Sequence, residues 1–379
     1  MLIYLVMFVM AELFAFVAEY KKHHGELVTE LSDMNAMYQQ KRISVFFWLS
    51  SIPFLLVAAL RYQVGTDYTT YIEIQIPQLL RGVDYRLKYE YFYQILIKLG
   101  MALGGYQVVF FLTHLVLLFF VWKALKNLSA DYCVSIFIFM FGCYFNLSLN
   151  IMRQVIAMAV FMYAMKYIVR GQPVKYLGMM IVGFLFHKTA AVFIPLYFLG
   201  KIRIRERAEI AVVLVIGVFS NQIRQLLVWI TNTTGIYASY FDGRYDVANQ
   251  QWNLILFNIV ILMAYAYIHK FLLGKTPSKV YINTIIKPEN ENMFNNLLFN
   301  LQVLATLTAV LSSVIPNSTR IIFMFSLGQI FYVPYLLQRI NDAKTRRWVL
   351  VGFVIGYVII FLRLILMNNM GMTLPYHFI

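Results

Sequence analysis

The chain has 379 residues, of which 61% are hydrophobic and only 13% charged. Soluble domains carry about twice that share of charge, so an ordinary soluble enzyme, a disordered chain and a disulfide scaffold are all excluded. The 32 Lys and Arg against 17 Asp and Glu leave a net charge of +15, which in so apolar a chain reads as basic cytoplasmic loops rather than nucleic-acid binding.

A helix needs about 20 apolar residues to cross about 30 Å of hydrocarbon. The opening run MLIYLVMFVMAELFAFVAEY lacks the basic start and the A-x-A end of a cleaved leader, and predicts a first transmembrane helix over 2–18. Further spans are predicted at 43–60, 106–122, 132–149, 154–169, 209–230, 252–272, 295–315, 320–338 and 348–367. The fold class is therefore an all-α, polytopic integral membrane protein with about ten full spans, and 1–379 forms a single helical domain. The two cysteines, Cys133 and Cys143, share one apolar segment and read as packing residues.

Two segments stand apart from that count. Residues 86–103 are amphipathic, with Lys88, Glu90 and Lys98 among aromatic residues, and predict an interfacial or re-entrant helix. Residues 176–199 have the length of one span but are interrupted by His187-Lys188. Read as a two-legged hairpin with His187 at its tip, this segment leaves 21 of the 32 Lys and Arg on the cytoplasmic side. Read as one straight span, it would turn the basic loops at 201–207, 270–287 and 339–347 outward, against the positive-inside rule. Each leg would reach only about 17 Å at 1.5 Å per residue, and a break at that depth is tolerated where it lines a polar cavity. The charge bias thus puts a polar cavity around His187.

The candidate functional residues fall at the other, extracytoplasmic level. Arg61 to Tyr71 (RYQVGTDYTTY) follows the second span, with Gly65 for a tight turn and Asp67 presented beyond it. Arg153-Gln154 opens a helix at its outer end, where a guanidinium beside free amides suits an anion. His187-Lys188-Thr189 interrupts an apolar stretch, which calls for a reason. The loop 231–251 carries Tyr240 and Arg244, and Arg320 follows a short turn at 316–319. Guanidinium groups at helix edges suit a multiply charged phosphate group. A carboxylate and a histidine supply two candidate bases, and the residues do not choose between Asp67 and His187. No soluble-enzyme motif is present, and no metal or other cofactor is implied. A lipid-linked saccharide flippase or exporter shares the anionic lipid substrate, but midplane charges or repeated halves are missing. A membrane O-acyltransferase would use His187 as base but lacks a second acyl-transfer residue. A purely structural membrane component leaves the outer Arg set unexplained.

The runs Arg61-x-x-Val64-Gly65-Thr66-Asp67-Tyr68-x-x-Tyr71, Met152-Arg153-Gln154-x-x-Ala157 and His187-x-Thr189-Ala190 resemble, in order and spacing, the EpsG family of Wzy-like polysaccharide polymerases. The resemblance covers roughly residues 1–340. Thr189 stands where Ser is common in the family, and the tail beyond 340 has no counterpart in the motifs. The resemblance implies a GT-C-like glycosyltransferase of the bacterial inner membrane that joins oligosaccharide units carried on undecaprenyl pyrophosphate, at the extracytoplasmic face. It implies Asp67 and His187 as catalytic residues. Arg61, Arg153, Arg320, Lys188 and Arg244 would lie on the pyrophosphate, and Tyr68, Tyr71, Gln154 and Tyr240 on the glycan, with loops 61–105 and 231–251 forming part of the site. The partners implied are the lipid-linked oligosaccharide, membrane lipids, and a chain-length regulator and flippase, but no nucleic acid.

Overall fold

The computed structural model describes residues 1–26, 44–83, 87–202, 206–234, 241, 250–273 and 288–378. Among them the regular structure is helical throughout, and β-pairing is limited to isolated bridges from Arg61 to Phe378 and from Leu273 to Ile340. In chain order the helices are α1 (Leu2–Glu26), α2 (Ser44–Ala59), α3 (Tyr91–Leu103), α4 (Tyr106–Leu128), α5 (Tyr132–Phe141), α6 (Tyr144–Ser148), α7 (Met152–Val169) and α8 (Pro173–Phe186). A 3₁₀ segment, Lys188–Lys201, follows α8. Then come α9 (Glu206–Val218), α10 (Ser220–Thr234), α11 (Trp252–Tyr267), α12 (Glu291–Val310), α13 (Ser318–Ser326), α14 (Gln329–Arg339) and α15 (Ala343–Phe361).

The surface is apolar where a soluble protein would be polar. On α1, Leu2, Val6, Val9, Leu13 and Phe16 form an exposed stripe at helical spacing. Its other face buries Tyr4, Met7, Ala11, Ala15 and Ala18, and the small alanines let α1 lie close against α2 and α5. The chain is a multi-pass membrane protein.

Seven helices among the described residues are long and apolar enough to span a bilayer, or eight if the pair Ala211–Val218 and Ser220–Thr234, bent by 69°, counts as one. The ten spans expected from hydropathy are therefore not all present as full helices. The predicted span 43–60 is the shorter α2, where Ser50 and Ser51 hydroxyls turn back to the Phe47 and Trp48 carbonyls ahead of Pro53. The predicted span 132–149 breaks between α5 and α6 at Cys143, whose φ is +64°. Hydropathy counts apolar residues and does not register such breaks.

Two runs form the centre. In α7, 83% of the spanning window is buried, and in Ser318–Arg339, 89%, against 33% for α1 and for α15. Packed against α4, α8 and the 3₁₀ segment, α7 presents its first turn from inside the bundle.

The break at His187 is observed. The residue is extended (φ −160°, ψ 131°) and α8 ends there. The Tyr176 hydroxyl donates to the Phe193 carbonyl at 2.5 Å, the Tyr176 and Tyr197 rings lie 5.5 Å apart, and a Cβ on Gly183 would sit 3.1 Å from that of Ala190. These pairs run antiparallel, so His187 is the tip of a hairpin. The return leg reaches about 28 Å in its 14 residues at the 3₁₀ rise of about 2.0 Å.

The bundle has two unlike ends. At one, Lys22 donates to Glu19 at 3.0 Å, Lys126 to the Ser44 hydroxyl at 3.0 Å, and Arg339 pairs with Glu291 at 3.3 Å. At the other, the tail returns to the loop after α2: Gly65 and Thr66 amides donate to the Met372 and Gly371 carbonyls at 3.0 Å, and the Tyr62 amide to His377 at 2.9 Å. With Cys133 and Cys143 replaced by alanine, single cysteines from Thr66→Cys and Lys344→Cys are expected to react with an impermeant maleimide from opposite sides of sealed, uniformly oriented vesicles. Labelling of both from one side would contradict this end-to-end arrangement.

Candidate active site

The loop after α2 is shaped by Gly65, at φ +105°, where any Cβ would press on the Leu149 carbonyl and the Asn150 side chain at 3.0 Å. The Thr66 hydroxyl donates to Asn150 Oδ1 at 2.9 Å, joining this loop to the turn before α7. Arg61 completes the joint from within. It is fully buried, and its Nη1 donates to the Val64 carbonyl at 3.1 Å and to the Leu149 carbonyl. Its Nη2 lies 3.2 Å from the Met152 sulfur, and the Phe110 ring faces the guanidinium at 4.7 Å. Carbonyl dipoles and a ring face hold this cation. Arg61 was expected on the pyrophosphate; the structure places it fully buried, with its guanidinium taken up by protein groups.

The two tyrosines of the loop are buried as well. Tyr68 packs on Phe110 at 5.3 Å, and Tyr71 lies in a π turn (Thr70–Gln75) within electrostatic reach of Arg153, Asp67 and Arg61. Neither ring offers an open face for stacking on a sugar, contrary to expectation. Gln154 is buried, with its amide on the Met324 sulfur at 3.1 Å, so it too faces protein rather than glycan. Tyr240 and Arg244 lie outside the described residues, as does most of the loop 231–251.

The remaining residues converge. Arg153, in the first turn of α7, donates to Oε2 of Glu90. His187 Nδ1 lies 2.5 Å from Oε1 of the same carboxylate. The Arg153 and His187 side chains are each 14% exposed, and Glu90 only 2%. Tyr93 flanks Arg153, its ring centroid 5.9 Å from the guanidinium carbon. Lys188 is exposed beside His187, and the Thr189 hydroxyl is buried without a hydrogen-bond partner. Across the site, Arg320 Nη2 stands 4.0 Å from Asp67 Oδ2, with side chains 44% and 32% exposed. Burial pushes the Glu90 carboxyl up, but the bond from His187 and the charge of Arg153 outweigh it and hold the group below the ordinary carboxylate range.

Glu90 was not among the expected site residues. Its signal in the sequence is an acid set in an aromatic run, Tyr89-Glu90-Tyr91-Phe92-Tyr93, of a chain with few charges. The segment 86–103, expected to lie at the interface or to re-enter, holds α3, which pairs with α4 across the Gly104-Gly105 turn and sets Glu90 against α7.

Fold and site together define a polytopic helical membrane protein with a guanidinium, carboxylate and imidazole cluster at the end away from Lys22, Lys126 and Arg339. The chain belongs to the EpsG family, whose match covers residues 44–378. This is a family of Wzy-like polysaccharide polymerases, and it assigns the chain, in general terms, to glycosyltransferase-like polymerisation of polysaccharide. The matched region starts after α1 and runs past residue 340 to take in the tail that the motifs leave without a counterpart. The hydrogen bonds from Gly65 and Thr66 to that tail give the physical reason: it holds the loop that carries Asp67. No curated protein and no solved structure matches the chain.

Arg61 and Arg320 make opposite predictions. Arg61→Ala strips buried carbonyls of a charged donor, each such bond being worth about 1.5–3 kcal/mol, and is expected to lower the thermal unfolding midpoint in detergent sharply. Arg320→Ala, at an exposed pair worth about 0–1 kcal/mol, is expected to leave the midpoint in place.

Proposed function

We propose that the chain joins oligosaccharide units carried on undecaprenyl pyrophosphate into a surface polysaccharide or exopolysaccharide, at the extracytoplasmic face of a bacterial inner membrane. The observation that carries this reading is the meeting of Arg153 and His187, from separate motifs, at one carboxylate, beside the exposed Arg320. The basic residues Lys22, Lys126 and Arg339 at the far end support the choice of face.

In the proposed reaction a hydroxyl of the acceptor unit attacks the anomeric carbon of the donor glycan. The new glycosidic bond forms as the bond from that carbon to the pyrophosphate oxygen breaks, and polyprenyl pyrophosphate leaves as an anion. The hydroxyl proton passes to a base. Arg320, together with Arg153 and Lys188, stabilises the charge developing on the leaving group. His187 serves as the base, its Nδ1 held on the carboxylate that Arg153 also pairs with. Asp67 orients Arg320.

The test is reconstitution. Purified protein in liposomes is given undecaprenyl-pyrophosphate repeat units from its own host, and the products are resolved by mass. A ladder of multiples is expected. His187→Ala should slow it by about 10²–10⁴-fold, and Arg153→Ala and Arg320→Ala by about 10²–10³-fold. Single units that only change leaflet would overturn the polymerase in favour of a flippase.

A further inference from the structure

Glu90 takes no part in the bond making and breaking just described, yet it is the most enclosed of the three groups that meet there. It is the N-cap residue of α3, where a carboxylate ordinarily accepts from the first-turn amides. Its side chain makes no such bond. Both oxygens turn instead across the bundle, Oε2 to Arg153 on α7 and Oε1 to His187 at the tip of the hairpin. An ion pair with Arg153 alone would satisfy a buried carboxylate. The second oxygen on His187 asks for a separate reason.

An ionised carboxylate only accepts hydrogen bonds. The proton in the contact with His187 therefore sits on Nδ1, and Nε2 is left as the basic nitrogen. We propose that Glu90 is a positioning residue: it fixes the Nδ1–H tautomer of His187, aims Nε2 at the acceptor hydroxyl, and stabilises the imidazolium formed when Nε2 takes the proton. Arg153 keeps the carboxylate ionised for this task. The inference rests on the polymerase reading with His187 as base. The charge accounting fits: Arg153, Glu90 and neutral His187 sum to zero before proton transfer and to +1 after it. The site gains a positive charge as the pyrophosphate gains its negative one.

The charged groups facing His187 are Glu90 from the start of α3, Arg153 from α7 and Lys188 from its own segment, with Tyr71 and Tyr93 behind Arg153. Glu90 is the only anion among these, so its removal has a definite sign. Glu90→Gln keeps the size and an acceptor oxygen but loses the charge. It is expected to slow polymer formation by on the order of 10²–10⁴-fold. It is also expected to move the acid limb of the pH–rate profile, and the titration of His187 seen by nitrogen-15 and carbon-13 resonance in micelles, down by about one unit or more. The His187 signal is assigned by its loss in His187→Asn. Glu90→Asp, which keeps the charge but shortens the reach, should leave the titration near its wild-type position while still slowing the reaction.

A purely structural role would slow the reaction without moving the titration, and an unmoved titration in Glu90→Gln overturns the inference while a wild-type ladder leaves the polymerase standing. A wild-type protein that makes no polymer, but whose His187 titration moves in Glu90→Gln, sinks the polymerase reading and keeps the coupling. Should Glu90→Gln fail to fold, the wild-type nitrogen shifts decide alone. At high pH they must show His187 protonated on Nδ1, and the opposite tautomer overturns the inference.

Discussion

Hydrocarbon offers no partner to a free backbone group, so every break in a helix at membrane depth has to be answered by the protein itself. The breaks in this chain are answered, and the answers build the site. Where α5 gives way to α6 at Cys143, the Gly142 and Cys143 amides still reach the Ile138 and Met140 carbonyls at 2.8 and 3.0 Å, and the Leu147 amide donates to the Cys143 carbonyl at 2.9 Å. Where α6 gives way to α7, Arg61 donates to the freed Leu149 carbonyl and Asn150 takes up the Thr66 hydroxyl. Where α8 stops at His187, the His187 amide still reaches Gly183 at 2.9 Å, and Ala190 reaches the His187 carbonyl at 3.0 Å. The second and third of these breaks bring the first turn of α7 and the hairpin tip to Glu90.

Three arginines of one chemical type then take different tasks from different surroundings. Arg61 is wholly enclosed by carbonyls and rings and acts as a tie between the loop and the α6–α7 turn. Arg153 is nearly enclosed and shares a carboxylate with a histidine. Arg320 is close to half exposed, with a carboxylate at the limit of ion pairing. Burial decides between the roles, because a cation reaches a soluble headgroup only when one side of it is left open.

Much of this was legible in the chain and some of it was not. Composition and hydropathy suffice for the membrane class, and the charge bias suffices for the hairpin at His187 and the basic end. The span count was not legible, since helices such as α2 and the α5–α6 pair are broken by local hydroxyl bonds and one left-handed residue that hydropathy does not see. Arg61 and Arg153 looked alike because sequence gives spacing, and enclosure depends on what folds over a residue from α4 or α3. Glu90 and the tail at 371–378 escaped for the same reason. Their partners are 63 and 97 residues away for Glu90, and 227 and 319 away for Thr373 and Tyr376 of the tail.

The pairing of charges also bears on how a pyrophosphate would be received. Arg153 is already committed to Glu90 inside the bundle, where separating a buried pair costs about 3–5 kcal/mol. Its positive charge is thus available to a substrate only as a field from behind, not as a direct ligand. The Asp67–Arg320 pair is different. At 4.0 Å and partly exposed, it belongs to a class worth about 0–1 kcal/mol. A doubly charged phosphate group offers Arg320 a better partner than Asp67 and displaces it at little cost. The exposed pair is therefore the exchangeable one and the buried pair the permanent one. In the proposed reaction this division lets one guanidinium follow the leaving group while the other keeps the base in register.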